Sequence, residues 1–142
     1  MSKVLVLDDI VERHEGFRKI LAGHEVTHCW TYLQAITAFK TQKYDMACLD
    51  HDLGDLGRKV RVKSEHFNLT FYPDSYEGGG MYPGARSYYD GTDVAFWLKE
   101  NPTYCPSKIL IHSHNPTGAN SMAVMLKQIP GVEVTVKEYK AP

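Results

Sequence analysis

The chain is poor in cysteine, with three in 142 residues: Cys29, Cys48 and Cys105. An odd number without a CxxC spacing excludes a disulfide framework and a thiolate zinc site, and a reducing, cytoplasmic setting is expected. Net charge is nearly absent too, at −1 with neutral histidines. No global positive field therefore draws the protein to an extended nucleic-acid surface, and any anion must be bound by a local site. No apolar run approaches the roughly 20 residues that span a bilayer. The opening segment, MSKVLVLDD, ends its short apolar run in acid and lacks the layout of a signal peptide. Internal repeats and low-complexity tracts are missing as well.

What is present alternates between two periodicities. Lys3 to Leu7 is a short Val/Leu run of the kind found in strands buried on both faces, and it ends at Asp8-Asp9. Ile10, His14, Phe17 and Leu21 then recur at helical spacing and predict a helix over about 10–22, closed by Gly23. His24 to Trp30 holds a second strand. Thr31 with Gln34 resembles a capping box opening a helix that carries Tyr32, Ala35, Ile36 and Phe39 on one face. Tyr44 to Asp50 is a third buried strand. Gly91 to Asn101 reads as a helix, Lys108 to Ser113 as a fourth strand, and Asn115-Pro116 as the start of a helix running to about Gln128. Val132 to Val136 is the fifth strand.

Strands alternating with helices imply parallel pairing and right-handed crossovers. The expected architecture is one α/β domain over 1–142, flavodoxin-like, with a doubly wound five-stranded parallel sheet in the order 2-1-3-4-5. Two features depart from the plain form. About 35 residues, 55–90, are inserted after the third strand, and a stretch that long is usually functional or structured. Alternation at Val60 and Val62, then Phe67, Leu69 and Phe71, predicts a β-hairpin there. Gly78 to Gly80 with Tyr72, Tyr76, Tyr82, Tyr88 and Tyr89 suggest a flap. The basic residues Arg58, Lys59, Arg61, Lys63 and Arg86 suit a solvated hairpin face, or a flap over a nucleotide whose base the tyrosines stack on. In addition, no helix is expected after the last strand, so the insert or a second copy of the chain should cover that sheet face; the latter would make a homodimer.

Ligands of open parallel sheets bind outside the carboxyl ends of the strands. Those ends carry Asp8 and Asp9; Asp50, His51 and Asp52; and His112, Ser113, His114 and Asn115. In the 2-1-3-4-5 order the three strands are neighbours, about 4.8 Å apart. Crowded carboxylates repel, and a cation is the simplest relief. Asp8, Asp9, Asp50 and Asp52 are the candidate metal ligands. Mg²⁺ or Mn²⁺ suits them best, while the histidines would also accept Zn or Fe. The helix N-terminus at Asn115-Pro116 offers backbone N–H groups to a phosphate. Arg13, one turn after Asp9, is placed to pair with that acid or to touch the phosphate. His112 and His114 are candidate general acids or bases, with His51, Ser113 and Asn115 beside the phosphate. The remaining histidines, His14, His24 and His28, read as core or surface filler.

Asp8-Asp9, Asp50 and Ser113 resemble the receiver domains of two-component response regulators. In that family the acidic pair helps hold Mg²⁺, the Asp at the third strand accepts a phosphoryl group, and a Ser/Thr contacts it. Receivers place Lys-Pro after the last strand, where this chain has Lys137-Glu138. The strings LDHDLG (49–54) and HSHNP (112–116) are similar instead to a divergent receiver-like family named for cyclic-phosphate processing, grouped with phage and bacterial repair and defence contexts. That resemblance implies a metal-dependent phosphoesterase with Asp50 and a histidine in the chemistry. The substrate would be a small cyclic nucleotide or an RNA 2′,3′-cyclic phosphate end. Two alternatives are a phosphoacceptor switch modified at Asp50, and a non-catalytic binder of a nucleotide signal.

Overall fold

The computed structural model describes residues 2–53, 60–63, 66–71 and 89–142, with 60–63 and 68–71 described by their backbone. The order of elements is β1 (Lys3–Leu7), α1 (Val11–Ile20), β2 (Glu25–Cys29), α2 (Tyr32–Thr41), β3 (Met46–Leu49), β4 (Val60–Lys63), β5 (Asn68–Phe71), α3 (Gly91–Glu100), β6 (Lys108–Ile111), α4 (Pro116–Leu126) and β7 (Glu133–Val136). The main sheet runs β2-β1-β3-β6-β7 and every pairing in it is parallel. This is the 2-1-3-4-5 order expected from the sequence, with β6 and β7 as its fourth and fifth strands.

Local chemistry sets the helix starts. The Thr31 hydroxyl accepts from the Gln34 N–H at 3.2 Å, while the Gln34 side chain accepts from the Trp30 N–H at 2.8 Å. Asp90 and Asp93 form a reciprocal capping box at α3. Asn115 caps α4 by accepting from the Gly118 N–H at 3.0 Å, with Pro116 in the first turn. After α1 the chain turns at Gly23, whose φ of +91° is one that glycine adopts without strain.

Alternation along the strands divides the core in two. Leu5, Leu7, Ala47, Leu49, Ile109 and Ile111 face α2, α3 and α4 in the larger cluster. Val4, Val6 and Cys48 face Phe17 of α1 in the smaller one, with Leu110 and Tyr139 packed alongside. From the sequence, this second face is expected to be covered by the insert or by another copy of the chain. In the structure the segment after β7 lies on it. The Lys137 and Tyr139 N–H groups donate to the Ile111 and His112 carbonyls at 2.9 and 3.1 Å, continuing the ladder. The Tyr139 ring meets Phe17 at 5.3 Å between centroids. Its hydroxyl lies against Gly16, where a Cβ would collide with it. A glycine inside a helix costs roughly 1 kcal/mol relative to alanine, and here it makes room for that contact. Ile20 and Val136 remain about half exposed on the outside.

Within the insert, β4 and β5 pair antiparallel with Val60 opposite Phe71 and Val62 opposite Leu69, the hairpin predicted from their alternation. Phe67, just before β5, packs against His14, His28 and Trp30. His66 reaches Glu15 of α1 at 2.7 Å. The expectations for Arg58, Lys59, Arg86, Gly78 to Gly80 and Tyr72, Tyr76, Tyr82 and Tyr88 fall outside the described residues.

Candidate functional site

Three site residues arise from one backbone rule. Asp8, Asp50 and His112 each follow directly on the last residue of a strand. Their N–H groups donate to the last carbonyl of the adjacent strand: Asp8 to Cys29 at 3.1 Å, Asp50 to Leu7 at 3.0 Å, and His112 to Leu49 at 3.0 Å. The register pairs Leu7 with Leu49 and Leu49 with Ile111. The three residues therefore stand in one row across the sheet, on the α1 face by alternation. All three side chains are buried. Each offers one ligating atom, and these atoms lie within 4.8 Å of one another.

The row is held by polar contacts. His112 Nε2 meets Asp8 Oδ2 at 2.8 Å, and Asp8 Oδ1 accepts from the Ile10 N–H at 2.9 Å. Arg13 Nη1 lies 3.4 Å from Asp8 Oδ2 and 3.5 Å from Asp50 Oδ2. These contacts split the two acids. Burial works against ionising Asp8, but the hydrogen bond and charge of His112, the Ile10 N–H and the Arg13 guanidinium outweigh it and hold its carboxyl below the ordinary range. Asp50 goes the other way. Burial first, then the neighbouring Asp8 charge, push it up to about 7. A buried carboxylate this unfavourable to ionise is stabilised by any positive charge beside it. Two carboxylates and an imidazole are also a donor set that divalent cations accept. His112 Nδ1 is buried and has no hydrogen-bond partner among the described residues. His112 also borders a pocket of about 180 Å³ beside Phe17, Leu110 and Tyr139.

Behind the row, His14 is fully buried and stacked on Trp30 at 3.9 Å. Its Nε2 donates to the Asp8 carbonyl at 2.8 Å, and its Nδ1 lies 2.7 Å from Nδ1 of His28. A carbonyl only accepts, so Nε2 of His14 carries the proton and Nδ1 is left to accept from His28. Burial pushes both imidazoles down to about 4. These histidines, read from sequence as filler, buttress the Asp8 backbone and provide the seat for Phe67.

The remaining candidates gather on the other side of the rim. His51 Nδ1 contacts Asp52 Oδ1 at 2.7 Å, and His51 Nε2 lies 3.6 Å from Asp90 Oδ2. Asn115 Nδ2 is 3.3 Å from Asp52 Oδ1 and 3.4 Å from His51 Nδ1. Gly91 and Gly118, in the first turns of α3 and α4, admit this residue: a Cβ at the first would strike the backbone at Asp50-His51, and at the second the His51 ring. The Asp52 side chain is 67% exposed and stands with His51 and Asn115 rather than in the buried row. Asp9 is buried, and its charge helps to raise Asp50. The Ser113 hydroxyl accepts from the Asn115 N–H at 3.0 Å, bracing the entry to α4. His114 stands apart from the buried row, 49% exposed and 3.7 Å from Glu138. Strand alternation would have paired it with His112, but the strand ends at Ile111 and the chain turns. Asp90 is not among the candidates drawn from the sequence. Its signal was the Asp90/Asp93 capping spacing, which marks the start of a helix that belongs at this rim.

A five-stranded parallel sheet of this order, with acids and a histidine at its C-terminal edge, defines a receiver-like α/β protein. Residues 3–128 match the cyclic-phosphate processing receiver domain, and the chain belongs to that family. Among solved structures it is similar to a CheY-like response regulator receiver domain from Methylobacillus flagellatus, at TM-score 0.59 and 15% identity, covering 100% of this chain and 89% of that one. It is also similar to the response regulator TrrA from Thermotoga maritima in complex with Mg²⁺ and BeF, at TM-score 0.59 and 16% identity, covering 98% and 88%. A third is a response regulator from Burkholderia pseudomallei with a phosphorylated aspartic acid, calcium and citrate, at TM-score 0.60 and 13% identity, covering 99% and 61%. At these identities the likeness speaks for the fold. No curated protein matches the chain. Among the described residues, no helix is long and apolar enough to cross a membrane.

Proposed function

We propose that the protein is a metal-dependent phosphoesterase that opens a cyclic phosphate, either a small cyclic nucleotide or an RNA 2′,3′-cyclic end. The observation that carries this reading is the buried row of Asp8, Asp50 and His112, in a family named for cyclic-phosphate processing. Asp8, Asp50 and His112 would hold a divalent cation, Mg²⁺ or Mn²⁺ by the carboxylates and Zn or Fe by the imidazole, with the buried Asp9 adding negative charge nearby. When bound, such an ion supplies a lowered water pKa and a positive charge beside the phosphate oxygens.

Opening a cyclic diester adds water: a new bond forms from water oxygen to phosphorus, one ring P–O bond breaks, and the departing alkoxide takes a proton. The ionised carboxyls of the row are acceptors for the proton that the attacking water gives up. The leaving oxygen needs a donor that solvent reaches. Sequence suggested His112 or His114, but His112 is buried against Asp8 and His114 stands with Glu138. His51, between Asp52 and Asp90 and partly accessible, fits the donor role better. Asn115, Arg13 and the N-terminal N–H groups of α4 would orient the phosphate. The test is hydrolysis of a panel of cyclic nucleotides and cyclic-phosphate oligonucleotides with Mg²⁺, Mn²⁺ and Zn²⁺. Turnover that Asp50→Asn abolishes supports the reading, and no turnover on any of them refutes it.

A second reading follows from the position of Asp50 at the end of β3, the place of the receiver phosphoacceptor. A small phosphodonor with Mg²⁺ would then leave a phosphoryl adduct on Asp50, detectable by mass, with no turnover. A pure binder of a nucleotide signal would instead return its ligand intact.

A further inference from the structure

Among the described residues, Arg13 is the one basic side chain that reaches both carboxylates of the row. Its guanidinium nitrogen lies 3.4 Å from Asp8 and 3.5 Å from Asp50, and the side chain is 19% exposed. Those distances exceed the roughly 2.7–2.9 Å of a tight charge-assisted hydrogen bond. The guanidinium thus neutralises the pair without being clamped by either acid. On its far side lies the Tyr139 ring, with Arg13 Cζ 6.0 Å from the centroid, near the outer limit of a cation–π contact. That ring is itself fixed, by the backbone bond from Tyr139 to the His112 carbonyl and by the notch at Gly16.

Resting on the metal reading above, we propose that Arg13 is a built-in counter-ion that a divalent cation must displace, so that it sets the cation concentration at which the site loads. An ion held by Asp8 and Asp50 would share their carboxylates with the guanidinium, and like charges brought that close repel strongly. Displacement has somewhere to go: a short swing about the end of the side chain lays the guanidinium on Tyr139. There it stays at the rim with its forked donors free to meet phosphate oxygens. Occupation of the site by a cation and readiness to take up a phosphate are thereby linked, with one side chain serving first as substitute cation and then as anion ligand. The arrangement also keeps the metal-free protein from holding two uncompensated carboxylates in its interior.

The experiment titrates Mn²⁺ into the substrate-free protein, following free Mn²⁺ by electron paramagnetic resonance, for the wild type, Arg13→Gln, Arg13→Met and Asp50→Asn, each checked for a cooperative melt. Removing the resident positive charge should tighten Mn²⁺ binding by about tenfold or more in Arg13→Gln and Arg13→Met, while Asp50→Asn loses it. Sulfate, added as a phosphate mimic, should bind the Mn²⁺-loaded wild type more tightly than the metal-free one, and this gain should be smaller in Arg13→Gln, where only the Mn²⁺ charge remains to attract it. Equal or weaker Mn²⁺ binding in both Arg13 variants, with Asp50→Asn still defective, overturns the counter-ion proposal and leaves the metal reading intact. If neither the wild type nor the Arg13 variants bind Mn²⁺, the metal reading fails and this proposal fails with it.

Discussion

Asp8 and His112, 104 positions apart in the chain, are joined by a 2.8 Å contact between Oδ2 and Nε2, with both side chains shut off from solvent. Breaking such a pair by removing one partner strands the other. His112→Ala should therefore destabilise the protein by about 3 kcal/mol, read as a shift in the urea midpoint at neutral pH. His114→Ala, at an exposed position beside Glu138, should shift it by less than about 0.5 kcal/mol and leave hydrolysis within a few-fold of wild type. If the two substitutions behave alike, the assignment of the buried row is wrong.

Asp50 is held at a cost to stability. Its carboxyl is pushed from 3.8 up to about 7, so ionising it in the folded state is unfavourable. Asp50→Asn should raise the melting temperature by several degrees at pH 8 without metal, on the order of 2–4 kcal/mol at most. The same substitution should remove metal-induced stabilisation. Thermal melts with and without Mn²⁺ check both halves.

The buried histidine pair gives a pH dependence of opposite sign. His14 and His28 are pushed down from 6.5 to about 4 by burial, so between those values the unfolded chain binds more protons than the folded one. Their contribution is complete above pH 6.5 and is lost as the pH falls toward 4. Asp50, raised to about 7, contributes in the reverse sense, and its stabilising share is lost as the pH rises through 7. The two slopes offset each other in the wild type. Asp50→Asn should expose the histidine slope, with stability climbing by as much as about 1.4 kcal/mol per pH unit for each histidine between pH 4.5 and 6.5. Denaturant unfolding at a series of pH values measures it.

Gly118 gives a test of the second cluster. Alanine there should gain up to about 1 kcal/mol of helix propensity, but its methyl group would meet the His51 ring. Gly118→Ala should leave the melting temperature within a few degrees of wild type and lower kcat for cyclic-phosphate opening by at least about tenfold, because His51 is turned from Asp52 and Asp90. Mn²⁺ affinity, which depends on the other face of the rim, should be unchanged.

Several of these features were open to a reader of the sequence. Hydrophobic runs at 3–7, 46–49 and 108–111, each leading into acid or histidine, announce buried parallel strands and the positions of Asp8, Asp50 and His112. The parity of Val4, Val6 and Asp8, and of Cys48 and Asp50, already puts these acids on one face, because side chains alternate strictly along a strand. His114 escapes that rule because it lies beyond the last ladder bond, where a turn resets direction. Asp52 escapes it for the same reason, and ends beside His51 rather than with Asp50.

The sequence by itself determined the alternation of elements, the strand order, the hairpin at 60–71 and which residues stand at the strand ends, since these follow from local periodicity and the handedness of crossovers. Only the tertiary structure decided which acids are neighbours within a few ångström, that Arg13 lies between Asp8 and Asp50, that His14 and His28 support the backbone behind them, and that Tyr139 rests on Gly16. Those contacts depend on register, on the turn each loop takes and on the length of particular side chains. Such quantities are fixed by close packing in three dimensions and have no periodic signature along the chain.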